Sequence, residues 1–195
     1  MPKVGMEPVR RNALLDATIA EIGASGTLDV TVSQIARRAG VSSGLAHHYL
    51  GGKEDMFIAA MRHILTLYSI EIRKSLAGAA GSRQRLEAIV HTSFAQIHFQ
   101  PEMISAWLNF YVMAQRLPAA QRLLHVYRRR LRSNLIHALR PMTDRPDRVA
   151  DTLAALIDGL YLRQALNDTS VPAKEATARI MAAADDLINS KGARS

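Results

Sequence analysis

The stretch that decides the fold is TVSQIARRAGVSSGLAHHYLGGKEDMF, residues 31–57. Thr31 and Gln34 have the spacing of a capping box, which fixes the start of a helix over about 32–39. Ile35, Ala36 and Ala39 supply the inward face of that helix, and Gly40 permits a tight turn after it. Val41 fills the space between two helices, and Ser42 is placed to cap a second short helix over about 43–49. Two short helices joined by a glycine turn, with small residues where they cross, are the layout of a helix-turn-helix. In that motif the second helix enters the major groove of DNA.

The polar content of the second helix suits the role. Ser43, His47 and His48 can reach phosphates or base edges. Gly44 permits close backbone approach near a helix N-terminus, a favourable phosphate position. Lys53 offers a further phosphate contact. The competing reading of the same residues is a tight helical corner without a ligand.

Working outward, nearly everything reads as helix, and the expected fold class is all-α with about nine helices. Leu14, Leu15, Thr18, Ile19 and Ile22 share one face of a first helix over about 8–24. Phe57, Ala60, Met61, Ile64, Tyr68 and Ile72 mark a long fourth helix from Lys53, broken near Gly78 and Gly81. Leu86, Ile89, Val90, Phe94 and Ile97 trace a fifth, with Pro101 as its terminator. Met103, Ile104, Trp107, Phe110, Tyr111 and Ala114 trace a sixth, closed by Pro118. Further helices are expected over about 119–139, 145–167 and 172–189, and no run alternates with the period of a strand. The expected division is a three-helix helix-turn-helix domain over 1–52 and a larger helical domain over 53–195.

The 195 residues suffice for a substantial core, and the absence of cysteine excludes disulfides and thiolate chemistry. The start, MPKVGMEPVRR, has no apolar h-region, and no apolar run reaches the length of a membrane span. The expected compartment is therefore the cytoplasm, with no membrane partner. The net charge of +8 is unevenly spread. Residues 1–60 carry six basic and six acidic side chains, residues 61–140 twelve and three, and residues 141–195 seven and eight. The argument for DNA thus rests on the motif and not on the charge of its segment. No GxSxG elbow, HExxH pair, P-loop or GxGxxG run is present, so an enzyme and a metal site are not expected.

Residues 8–57 resemble the N-terminal domain of TetR-type transcriptional repressors. Their signature is an IAxxAGVSxGxxYxHFxxKexL-like run, and IARRAGVSSGLAHHYLGGKEDM stands in its place. The resemblance implies that Thr31, Tyr49 and Lys53 hold phosphates of a double-stranded operator. It implies that Ser43, Gly44, Leu45 and His48 face the bases. His47 departs from the family, which usually has tyrosine there. MPKVGMEPVRR, AWLNFYVMAQR at 106–116, RRLRSNL at 129–135 and AALIDGLYLRQAL at 154–166 are similar to the choline-responsive members, repressors of glycine betaine synthesis. The implied cofactor count is zero, with choline as a small-molecule effector; a cationic drug or an acyl compound is the alternative. A homodimer is also implied, paired through the eighth and ninth helices. Leu153, Leu156, Ile157, Leu160, Ile180, Ala184 and Leu187 are its candidate contacts.

The residues themselves bear on choline. A quaternary ammonium has no N–H to donate, so aromatic faces and a carboxylate are what recognise it. Trp107, Phe110 and Tyr111 fall at i, i+3 and i+4 on the sixth helix, hence on one face. Tyr161 shares a face with Asp158, and Tyr68 and Tyr127 are further candidates. The same aromatics are also ordinary core material. Asp158, within the apolar run LAALIDGLYL, either balances the ammonium or pairs with an arginine such as Arg163. Gly159 suggests a close helix contact, such as one across a dimer. Most of the positive charge lies in this sensing region, which disfavours a cation, although Arg128, Arg129, Arg130 and Arg132 span more than one helix face and read as solvated surface.

Overall fold

The computed structural model describes residues 6–95, 99–166 and 171–190. Among them the chain forms nine helices and no strand: α1 Met6–Ser25, α2 Val32–Arg38, α3 Ser43–Leu50, α4 Lys53–Ala77, α5 Ser82–Ser93, α6 Pro101–Ala114, α7 Pro118–Leu139, α8 Pro146–Ala165 and α9 Ala173–Asn189. The all-α expectation holds.

Two prolines behave differently from their sequence reading. Pro101 and Pro118, read as terminators, are the first residues of α6 and α7, as Pro146 is of α8. There the missing N–H has no helical partner to lose and the fixed φ is already helical. The fifth helix does not run on to Pro101. It stops at Ser93, and Phe94 (φ −108°, ψ 14°) shares its N–H between the carbonyls of Val90 and His91. The chain leaves the helix where the Phe94 ring turns onto Phe99 and Tyr161, with centroids 5.3 and 5.8 Å away. Ile97 lies outside the described residues.

The molecule divides into two compact units, and the division does not follow a single cut in the sequence. The first takes the residues up to Leu67 together with Pro101–Leu124, and the second takes Tyr68–Gln100 with the residues from His125 onward. In the first unit α1 packs against α2, α3 and α6. The expected α1 face is the buried one: Leu14, Leu15, Thr18, Ile19 and Ile22 all point inward. The Thr18 hydroxyl is satisfied by the Leu14 carbonyl at 2.7 Å, so its burial costs little. Ile35 and Ala36 of α2, Ala46 and Leu50 of α3, and Ile104 and Phe110 of α6 are buried in the same unit.

The α1–α6 approach is close because position 23 has no side chain. A Cβ built there would lie 2.5 Å from Glu102 Cβ and 2.7 Å from its Cα and carbonyl oxygen. One turn pair further on, Asn109 Nδ2 donates to the Gly26 carbonyl at 3.1 Å and pins the end of α1 to α6.

In the second unit α9 packs on α8 and on α5. Leu86, Ile89, Val90, Leu135, Leu139 and Val149 are buried there. Arg83 of α5 reaches both Glu87 and Asp185 of α9, and the guanidinium holds the Asp185 carboxyl below the usual carboxylate range. Both partners are well exposed, so the pair orients α5 on α9 more than it stabilises the fold.

Replacing Gly23 tests the α1–α6 approach. Because the obstructing atoms include α6 backbone, Gly23→Ala is expected to cost about 1–2 kcal/mol, overpacking outweighing the helix propensity gained. Urea unfolding of the variant beside the parent chain measures it; an unchanged or raised midpoint contradicts the close approach.

Candidate nucleic-acid interface and effector-site residues

The turn that sets α3 against α2 is built as its sequence indicates. The Thr31 hydroxyl accepts from the Gln34 N–H at 3.2 Å, and the Thr31 N–H donates to Gln34 Oε1 at 2.7 Å, closing the capping box. Gly40 takes φ +68°, a left-handed conformation that side chains resist, and the Val41 N–H then returns to the Ala36 carbonyl. The Ser42 hydroxyl accepts from the Leu45 N–H at 3.2 Å and starts α3. Ala46 and Leu50, four residues apart, are the buried face of α3.

The opposite face is open. Ser42, Ser43, Gly44, His47 and His48 are exposed, with Leu45 and Tyr49 at its margins half-buried. Nothing lies within 4 Å of a Cβ placed on Gly44, so its backbone is open to close approach. The Ser43 hydroxyl lies 3.3 Å from that of Ser33 on α2, joining the two helices at the exposed rim. Ser33 was not singled out from the sequence; its only prior signal is its place one turn before Arg37 on the outer face of α2. His47 turns back on its own helix, with Nδ1 3.0 Å from the Gly51 carbonyl. That leaves Nε2 as its outward-facing nitrogen. The His48 and Tyr49 rings lie 5.4 Å apart.

Lys53 opens α4, whose first turn is capped by Asp55 accepting from the Gly52 N–H at 3.0 Å. Its ammonium is 3.9 Å from Asp29 Oδ1 and 5.7 Å from the Phe57 ring centre. Asp29 is 99% exposed, so this long ion pair is easily exchanged for a phosphate. Arg38 is committed elsewhere, to Glu21 at 2.5 Å, which ties α2 to α1.

The seven aromatic and acidic residues assigned to the effector fall into two groups. In the first unit, Trp107 and Phe110 are buried on α6, with ring centroids 5.6 Å apart, and the Trp107 and Tyr111 centroids are 5.9 Å apart. In the second unit, Tyr68 and Tyr127 meet edge to face at 5.9 Å. Tyr161 stacks on Phe94 and meets Phe99 at 5.3 Å. Ser93 joins these rings: its hydroxyl is 3.3 Å from the Tyr68 phenol oxygen, and its carbonyl accepts from the Tyr161 hydroxyl. Burial pushes the Tyr68 phenol up; the Ser93 hydroxyl opposes this and Glu71 reinforces it. Phe94 and Phe99 were not singled out as site residues, because Phe94 fits the apolar period of α5 and Phe99 falls between helices. Asp158 is partly buried and already has a partner.

The proposed dimer contacts divide in the same way. Leu153, Ile157, Ile180 and Ala184 are wholly buried within the protomer, so they have no surface to offer a second chain. Their period marks the seam by which α8 and α9 join their own unit. Leu156, 40% exposed, and the half-buried Leu160 and Leu187 remain. Gly159 has open space around it. Among the described residues no group of His, Cys, Asp and Glu is placed to hold a metal, and no helix is long and apolar enough to cross a membrane.

Comparison with known proteins agrees with this architecture. Residues 14–60 match the bacterial regulatory proteins of the tetR family, and residues 82–189 match the C-terminal part of BetI-type transcriptional repressors. The HTH-type transcriptional regulator BetI of Brucella anthropi is 47% identical over 182 residues, covering 92% of this chain and 94% of the relative. A transcriptional regulator of Pseudomonas aeruginosa superposes with a TM-score of 0.79 at 27% identity, over 93% of this chain and 91% of that one. A regulator of Saccharomonospora viridis, solved in complex with choline, superposes with a TM-score of 0.81 at 21% identity, over 92% and 95%. With the helix-turn-helix assembled and the match running through both halves, the chain belongs to the TetR family of transcriptional regulators, in its BetI-type branch.

Proposed function

We propose that this protein represses genes of choline uptake and glycine betaine synthesis, and that choline is its inducer. The observation that carries the reading is the match to BetI-type repressors, which includes the C-terminal half with its clustered aromatic residues. The chemistry supports it: both units hold clustered aromatic rings of the kind that surround a quaternary ammonium. The choline complex of the S. viridis regulator, whose likeness is one of fold, agrees with it. The protein acts in the cytoplasm as a homodimer, its two reading heads matching the half-sites of a palindromic operator. Choline then shifts the dimer to a spacing that no longer fits, with α4 as the lever; a 100-fold preference corresponds to about 2.7 kcal/mol of coupling.

On the DNA, Ser43, Gly44, Leu45 and His48 face the bases, and Thr31, Ser42, His47, Tyr49 and Lys53 hold phosphates. Gly44→Ala adds a methyl into open space, so the melting temperature stays or rises while affinity for an operator selected from a random duplex library falls about tenfold, a 1.4 kcal/mol effect. Lys53→Gln lowers affinity for all duplexes alike and reduces the salt slope by about one. Electrophoretic shift at several salt concentrations reads both, and unchanged binding in both variants removes α3 and α4 from the interface.

Leu156→Asp tests the dimer. Leu156 is exposed in the protomer, so the substitution leaves helicity intact and shifts the sedimenting species to monomer, with operator binding lost. A variant that remains dimeric places the interface elsewhere.

Calorimetric titration with choline, beside glycine betaine and a long-chain acyl compound, tests the effector. Saturable choline binding is expected, weakened tenfold or more by Trp107→Ala or Tyr161→Ala, whichever aromatic group holds the ammonium. No choline binding by the folded dimer overturns the choline assignment and leaves operator binding untouched.

A further inference from the structure

An open cleft of about 320 Å³ lies between α7 and α8 in the second unit, lined by Arg129, Arg132, Ser133, His137, Arg140 and Asp147. The α7 residues recur at helical spacing, so they form one stripe along that helix. The arginine-rich run at 128–132 divides here. Arg130 lies near the Ser69 hydroxyl at 3.5 Å, while Arg129 and Arg132 enter the cleft.

Arg132 is clamped by α8. Its Nε donates to Asp151 Oδ1 at 2.6 Å and its Nη2 to Asp147 Oδ1 at 2.9 Å. Both carboxylates that α8 brings to this side are thus engaged by one guanidinium. Arg129 and Arg140 form no ion pair with any described residue. The cleft is left with a surplus of positive charge, Ser133 in its lining one turn from Arg129, and no side chain capping the N-terminus of α8. Arg140 directly follows the last residue of α7, about three turns on from Arg129.

We propose that this cleft is a binding site for a small polyanion carrying two or more phosphate groups. Arg129 and Arg140 stand at opposite ends of the lining stripe, and their long side chains can converge on one compact ligand, each guanidinium taking a phosphate by paired N–H donors. The volume falls within the range of small-ligand sites, and concavity favours a compact ligand over an extended strand. A quaternary ammonium is repelled here, so the site is distinct from the choline site and does not depend on it.

The test is calorimetric titration of the full-length protein with pyrophosphate, with sulfate as control at matched ionic strength. Saturable pyrophosphate binding is expected, at least tenfold tighter than sulfate. In an R129Q/R140Q double variant it weakens tenfold or more, with unchanged melting temperature and unchanged choline titration. Ser133→Asp, at an exposed position, places a negative charge in the cleft without removing an arginine and is expected to weaken binding likewise, should the double variant fail to fold. Pyrophosphate binding no tighter than sulfate, or unaltered in the variants, overturns the proposal. So does an R129Q/R140Q variant that loses only affinity for random-sequence duplex DNA, which makes the face a nucleic-acid surface.

Discussion

The packing of α6 on α1 in the first unit turns on Gly23, where a Cβ would run into Glu102 Cβ, Cα and carbonyl oxygen. Gly23 brings α6 onto α1 with no side chain between them at that level. α1 is also the helix on which α2 and α3 rest, so the pose of the reading helix is set through α1. Arg38 on Glu21 and Asn109 on the Gly26 carbonyl flank Gly23 and tie the C-terminal end of α1 to α2 and to α6. Each such bond contributes only about 1 kcal/mol, but together they remove the freedom of α1 to slide. A one-residue change at position 23 therefore acts on a face it does not touch.

In the proposed interface with DNA, two of the contact residues also hold the motif together. Thr31 and Ser42 are N-caps whose hydroxyls each satisfy a backbone N–H, an interaction of about 1 kcal/mol. A hydroxyl has further hydrogen-bonding capacity after capping, so one oxygen can hold the helix start and still meet a phosphate. Under the proposed reading, substituting either residue disturbs stability and binding together. Gly44 and Lys53 are free of that double duty, because neither one's side chain supports the turn.

What was legible in the sequence follows from what periodicity can encode. The capping box, Gly40 and the α1 face were readable because each depends on residues close together in the chain. Proline was misread at Pro101 and Pro118 because it is disruptive inside a helix and welcome at its first position. The sequence shows the residue and not the boundary. Leu153, Ile157, Ile180 and Ala184 show a deeper limit. A period of three and four says that a face is covered, but a helix of the same chain and one of a partner leave the same pattern. Phe94 and Phe99 show the complement: the period that includes Phe94 says only that it is covered, Phe99 lies between helices, and only tertiary structure reveals that their rings meet Tyr161.

The placement of the aromatic groups bears on how an effector would act. Trp107, Phe110 and Tyr111 lie on α6, the helix that rests directly on α1. If the effector sits there, as proposed, it adjoins the helix that packs on α1. Tyr68, Tyr127 and Tyr161 belong to the second unit, and from there α4 is the continuous element, with Lys53 at its start and Tyr68 fifteen residues along it. Either route must meet the same thermodynamic demand, a difference in effector affinity between two poses of the reading heads. Tight binding alone supplies none of it, since a ligand that fits both poses equally shifts neither. The Gly23 contact is suited to such discrimination because close packing of backbone on backbone tolerates little intermediate displacement. A small movement of α6 must either be refused or carried whole into α1.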